Sequence, residues 1–382
     1  MKRIFYFFPF LILIFWVGCT DDPNDVGIGM LPPQDNLTLQ KFETTAINAT
    51  TYLQRITGIS ARLMFGKTGT LQTRSLLQFS GTPTQWNSSF VLDTAWLRFP
   101  INYRFMDSIG RFSVNLKQLL RGWSKDSLRW DSTNSPSLVN STSDTLFQKD
   151  ILPSDSLIEI PVNSFVRKWF ADTLASPYGM MISPEPNCTI ILGCPTTSYP
   201  TDERPELYVV YHTVTDPTLQ HLSYRPFQET FFADAVQPTT SDSLFFIQAG
   251  LSYRGKLNFA LDSIPKRASI TKASLDLTLN PNSAFTIRNA YSTNTIVAHI
   301  AHNTDTLSLL TASATFANDT TYTLSLDVKA LLQQIVSKKP DYEFILRSSG
   351  DYISLDRYAF YGITASDSTK RPRLNITYTI LP

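Results

Sequence analysis

The sequence predicts an all-β protein built as two tandem copies of one domain, each with a single short helix. Composition is the first ground. Ser, Thr, Asn, Tyr and Phe are plentiful, and 23 Pro and 15 Gly punctuate the chain, the profile of many short strands between turns. The second ground is a repeated ending. Arg204-Pro205-Glu206-Leu207-Tyr208-Val209-Val210-Tyr211 and Arg371-Pro372-Arg373-Leu374-Asn375-Ile376-Thr377-Tyr378 each read as a polar hinge, a Pro tolerated at a strand start, and a run alternating between two faces. They lie 167 residues apart (371 − 204), and each follows an apolar run ending in Gly, Ile190-Ile191-Leu192-Gly193 or Phe360-Tyr361-Gly362. The third ground is a ladder of further matches at offsets near 167 to 180.

Bulk properties narrow the function classes. A chain of 382 residues can bury two cores, and 42% apolar content is that of a folded protein. A net charge of +1 supplies no bulk field for nucleic acid or for an anionic bilayer, so neither is expected as a main partner.

The N-terminus reads as an export signal over residues 1–18. Lys2-Arg3 precedes the apolar run Phe5 to Val17, which falls short of the roughly 20 residues that a membrane span needs. The run ends in Val17-Gly18-Cys19, which resembles a bacterial lipobox, with Trp16 standing where Leu is usual. That resemblance implies a lipid anchor on Cys19. Behind it, Thr20-Asp21-Asp22 resembles the surface-export signal of Bacteroidota lipoproteins. Gly29-Met30-Leu31-Pro32-Pro33-Gln34-Asp35 looks like the start of an uncharacterised family of such lipoproteins. Residues 19–40 are then a flexible tether holding the body off the outer membrane, on the cell surface.

The ladder defines the body. Leu63-Met64-Phe65-Gly66 leading to Arg74-Ser75-Leu76-Leu77-Gln78-Phe79 matches Phe245-Phe246-Ile247 leading to Arg254-Gly255-Lys256-Leu257-Asn258-Phe259. Val91 to Phe99 matches Ser269 to Leu277, both alternating as half-buried strands do. Val162, Phe165, Val166 and Trp169 form a helical stripe that Val328, Leu331, Leu332 and Ile335 repeat, more readily a lid on a sheet than a cofactor box. Tyr178 to Ile182 and Tyr342 to Leu346 are paired strands ahead of the Arg-Pro ending.

This order resembles the DNRLRE domain, a bacterial β-sandwich of jelly-roll type. The first copy carries that family's two Trp around a polar spacer, Trp123-Ser124-Lys125-Asp126-Ser127-Leu128-Arg129-Trp130; the second has Ala301 to Leu307 there instead. The resemblance implies two tandem jelly-roll β-sandwiches, over 41–214 and 215–382. Some DNRLRE domains bind alginate and others are structural, so it implies fold more than ligand.

Catalytic chemistry is not expected. The chain has no HExxH, Walker loop, GxSxG or dinucleotide turn. His299 and His302 point to opposite faces of a strand, so no metal site or cofactor follows. Cys188 and Cys194 are read as free buried thiols, because six residues of strand span about 20 Å and a disulfide needs Cα atoms within about 7 Å. Arg74 and Arg254 share one repeat position and are each expected in an ion pair beneath the sheet end.

Trp123 and Trp130 could stack on sugar rings, or could anchor the sandwich as large aromatics usually do. Asp-Ser/Thr followed by an apolar residue recurs and resembles the Bacteroidota O-glycosylation signal. The acceptors would be Ser127, Thr145, Ser156, Thr173, Ser243, Ser263 and Thr306. Turn chemistry also favours Asp-Ser before strands. Two functions remain open, polysaccharide binding through a sandwich face and an accessory role beside an outer-membrane protein partner.

Overall fold

The computed structural model describes residues 38–54, 60–79, 89–107, 109–140, 145–171, 178–198, 203–237, 239, 241–282, 284–289, 293–302, 306–338 and 342–380. Among the described residues the protein is all-β with two short α-helices, as composition and alternation require. The first strand is β1 (Gln40–Leu53). Ten follow: β2 (Arg62–Thr68), β3 (Leu71–Phe79), β4 (Phe90–Pro100), β5 (Tyr103–Phe105), β6 (Gly110–Gln118), β7 (Thr145–Ile151), β8 (Leu157–Pro161), β9 (Met180–Pro184), β10 (Ile191–Pro195) and β11 (Glu206–Thr213). Helix α1 (Asn163–Ala171) lies between β8 and β9. A connecting pair comes next, β12 (Asp216–Tyr224) and β13 (Pro226–Asp234). The last ten are β14 (Leu244–Gln248), β15 (Tyr253–Phe259), β16 (Ala268–Thr278), β17 (Thr295–His302), β18 (Thr306–Leu307), β19 (Ala312–Thr315), β20 (Thr323–Asp327), β21 (Tyr342–Ser348), β22 (Arg357–Tyr361) and β23 (Arg373–Ile380). Helix α2 (Lys329–Lys338) lies between β20 and β21.

Pairing makes the repeat explicit. In the first sandwich one sheet runs β5-β10-β2-β3-β9-β6-β7, and the facing sheet runs β12-β11-β4-β8. In the second, β22 joins β14, β14 joins β15, then β21 and β17 follow, facing β23-β16-β20. Matched strands have matched neighbours: β3 pairs β9 as β15 pairs β21, and β11 pairs β4 as β23 pairs β16.

Alternation fills each core. Ala95, Leu97 and Phe99 of β4 meet Leu207 and Val209 of β11, with Val162, Phe165, Val166 and Trp169 of the α1 stripe laid over them. In the second copy Ala273, Leu275 and Leu277 meet Leu374 and Ile376 beneath Val328, Leu331, Leu332 and Ile335. All eight stripe residues are buried, each such side chain contributing about 1.5–3 kcal/mol. Both stripes are lids.

The expected division between 214 and 215 is crossed by strands in both directions. Strand β1, given by its position to the first unit, pairs with β23 and β15 of the second. Strands β12 and β13, beyond residue 214, pair with β11 and β3 of the first. Registers coincide between the copies. Thr44 faces Leu374 and Tyr224 faces Leu207, while Ala46 faces Phe259 and Pro226 faces Phe79. Both spacings are 180 residues (224 − 44 and 226 − 46). Each strand path also bulges by one residue where it passes from one sheet to the other, at Ile47 and at Phe227. The strand preceding each body therefore closes the other body.

The sandwiches also touch directly. Met64, Leu71, Tyr103, Phe105, Ile191 and Phe231 pack with Leu355, with Leu251 and Ile287 at the rim. The Leu355 amide donates to the Tyr103 hydroxyl (3.3 Å), Asn289 Nδ2 donates to the Arg104 carbonyl (2.6 Å), and an Arg62 Nη1 donates to the Ile353 carbonyl. Burial, with Asp356 nearby, pushes the Tyr103 hydroxyl well above its usual range.

Candidate functional site

The outer face of the first sandwich's larger sheet is apolar where β3, β9 and β13 present Leu76, Met181 and Phe232. A pleated sheet with both faces apolar needs cover on both. The chain after β6 supplies it. Residues 120–140 leave and return along the sheet: Leu120 N donates to the Leu138 carbonyl (2.8 Å), and Asn140 N to the Gln118 carbonyl (3.0 Å). Leu128, Leu138 and Val139 plug the face, with Trp123, Trp130 and Tyr178 half-buried around them. Trp123 Nε1 donates to the Tyr178 carbonyl (2.9 Å), and Gln228 Nε2 donates to the Trp123 carbonyl (2.8 Å). The two indoles thus serve the cover of the sheet, which is the packing alternative the sequence left open.

Beside Trp130 the cover stops short and leaves a cleft of ≈ 240 Å³. Arg74, on the outer face of β3, lies with its guanidinium carbon 4.2 Å from the Trp130 ring centroid. Its Nη1 donates to Thr133 Oγ1 (2.8 Å) and Asn134 Oδ1 (2.5 Å). Those contacts fix the fork, and Thr133 is itself held by donating to the Trp130 carbonyl (2.6 Å). Burial pulls the Arg74 guanidinium below its ordinary value, and Asp234 partly offsets that. Lys117 of β6, Asn134, Asn140 of the returning chain and Ser183 of β9 complete the polar lining. Among the described residues that lining holds two cations and no carboxylate. Such a set can hydrogen-bond hydroxyl groups and neutralise an acidic group, with Arg offering a planar fork.

The repeat position of Arg74 behaves differently in the second copy. Arg254 Nη1 lies 2.6 Å from Asp351 Oδ2, both side chains almost wholly buried. The expected ion pair is therefore present at Arg254, whereas at Arg74 the expectation is corrected: the guanidinium packs on Trp130 and meets neutral oxygens. The difference comes from the cover of residues 120–140, which brings an aromatic face to the guanidinium.

The remaining sequence candidates are dispersed. Cys19 and Thr173 lie outside the described residues. Ser127, Ser156, Ser243 and Ser263 are exposed on turns of both sandwiches. Thr145 is half-buried at the start of β7, 3.3 Å from Ser164 Oγ, and Thr306 begins β18. Turn chemistry accounts for part of the recurring Asp. Asp155 accepts from Lys149 Nζ (2.8 Å) and from the Leu152 amide (2.7 Å), contacts that hold its carboxyl below the usual range. Cys188 and Cys194 are free and buried. His299 lies between the Ser308 carbonyl and Arg347, whose Nε donates to His299 Nε2 (3.0 Å). Burial lowers its pKa. Among the described residues no group of acidic, His and Cys side chains could hold a metal, and no helix is long and apolar enough to cross a membrane.

No family model matches the chain, and neither does any curated protein. Among solved structures, the Macrobrachium rosenbergii nodavirus is 8% identical over 94% of each chain, with a TM-score of 0.15. Infectious bursal disease virus strain Gt is 11% identical over 92% of this chain and 78% of its own, with a TM-score of 0.16. Likeness at these scores carries no inference about function.

Proposed function

We propose that this protein is a non-catalytic lipoprotein of the outer-membrane surface that binds glycan on the first sandwich. The cleft beside Trp130 carries the reading: Arg74 and Lys117 sit among hydroxyl and carboxamide groups with no carboxylate between them. Both sides of it are fixed by the sheet and by the Trp130 cover, so little ordering is needed on binding. The two indoles contribute by holding Arg74 and the cover in place, with one face of Trp130 already occupied. Anchorage on Cys19 follows from the signal and lipobox residues, and Cys19→Ala is expected to release the protein from the membrane fraction. The test of the site is titration of acidic and neutral polysaccharides against wild type and Lys117→Glu, with thermal melts alongside. Loss of acidic-polysaccharide binding at an unchanged melt supports the cleft. No binding by wild type rejects it.

A second reading is favoured by a separate observation. On the second sandwich Leu309 is fully exposed and Leu310 half exposed, beside Ala330 and Gln333 of α2 in a shallow cleft of ≈ 490 Å³. Exposed apolar surface of this kind suits a protein partner, the accessory-subunit role.

A further inference from the structure

Strand β1 occupies a slot whose other walls it does not border in sequence. It is joined to β2 of the first sandwich by residues 54–61, yet lies in the second. Its hold there is chiefly the two antiparallel ladders, six facing pairs with β23 and seven with β15. Side-chain burial adds little: of its fourteen residues only Ala46 and Ala49 are buried. The equivalent slot of the first sandwich takes β12 and β13, from the far end of that body, in the same register and with the same one-residue bulge.

We propose that the β1 slot of the second sandwich accepts β1 of a second copy of this chain, giving a reciprocal strand-exchanged dimer. Every ladder contact of the monomer recurs in the dimer. What opens is the joint before β2, where the Gln54 amide donates to the Ser252 carbonyl (3.0 Å) and the Ala61 amide to the Tyr352 carbonyl (3.2 Å), so exchange costs a few hydrogen bonds per chain and is otherwise close to neutral in energy. High local concentration then decides the balance, as intramolecular pairing competes with pairing between copies. Two copies held by one another's first strands would present two Arg74 clefts from one assembly.

The test uses facing positions in the β1–β23 ladder, Lys41 and Thr377. Facing Cα atoms of an antiparallel pair lie within disulfide range, about 4.5–5.5 Å. Full-length chains carrying Cys19→Ala and either Lys41→Cys or Thr377→Cys are mixed, warmed to the foot of the melt at high protein concentration, cooled and oxidised. The expected product is a dimer joined between residue 41 of one chain and residue 377 of the other, increasing with protein concentration. A chain carrying both substitutions is the companion, because its internal bond proves that the strand is in register. If that internal bond closes while the mixed single variants stay monomeric at every concentration, the exchange does not occur.

Discussion

Replacing Arg254 by Met should destabilise the second sandwich by about 3–4 kcal/mol at pH 7, and by far less in acid. The Arg254–Asp351 pair is 2.6 Å apart with side chains 3% and 1% exposed. Burial already raises the Asp351 carboxyl above its ordinary value despite Arg254, so the carboxylate is costly in place. Without Arg254 the cation left beside Asp351, among the described residues, is Arg347, 3.9 Å away and partly exposed. Breaking a buried pair typically costs about 3–5 kcal/mol. Here proton uptake sets a ceiling, since a carboxyl of ordinary pKa 3.8 can be neutralised at pH 7 for about 4.4 kcal/mol, at 1.36 kcal/mol per pH unit. The same arithmetic gives about 1.6 kcal/mol at pH 5. Met fills most of the vacated volume, so packing should add little. Urea unfolding of wild type, Arg254→Met, Asp351→Leu and the double variant, at both pH values, forms the cycle. The double variant is expected within about 1 kcal/mol of wild type. A penalty for Arg254→Met that does not change between pH 7 and pH 5 would refute the reasoning.

Three other expectations follow from the same geometry. A fragment spanning 60–237 keeps β12 and β13 and should unfold cooperatively in urea, whereas 41–214 lacks the closing strands of its own sandwich and should not; equal cooperativity would mean that strand exchange between bodies is dispensable. Trp123→Ala should cost about 2–3 kcal/mol in a melt, at or below the low end of the roughly 3–5 kcal/mol for a buried large aromatic because the ring is half-buried; a change under about 0.5 kcal/mol would remove it from the cover. His299 has a lowered pKa from burial, with Arg347 and Arg254 facing it and the Ser308 carbonyl opposing. The folded state therefore binds its proton less well than the unfolded state. Stability present above about pH 6.5 is lost as pH falls through that window, and His299→Gln should flatten the slope there.

Period and register were legible in the residues. The i, i+3, i+4, i+7 stripes at 162–169 and 328–335 predicted two lids, and the alternation in β4, β11, β16 and β23 predicted the core faces, because side-chain direction follows backbone period. Strand partnership was not. Residues 40–53 and 220–233 fill equivalent slots in opposite bodies, and a two-residue period cannot say which copy of a strand a slot receives. The cleft was equally hidden, since Arg74, Lys117, Asn134 and Ser183 come from four separate segments. A trace did exist in the Trp pair found only in the first copy: it marks the cover that frees Arg74 from a carboxylate partner. The apolar outer face formed by Leu76, Met181 and Phe232 was not legible in the residues, and it draws those indoles to packing, one of the two roles left open for them.

The crossed closing strands also decide what a protease could achieve. Two stretches of chain pass between the bodies, the joint from β1 to β2 and the stretch between Asp234 and Leu244, and a nick in the second would cut the chain into an upstream and a downstream piece. In most tandem proteins that single cut liberates two particles. Here the upstream piece still has β1 zipped between β23 and β15 of the downstream piece. The halves would travel together through a sizing column and part only in denaturant, as a clasp that no longer depends on its thread.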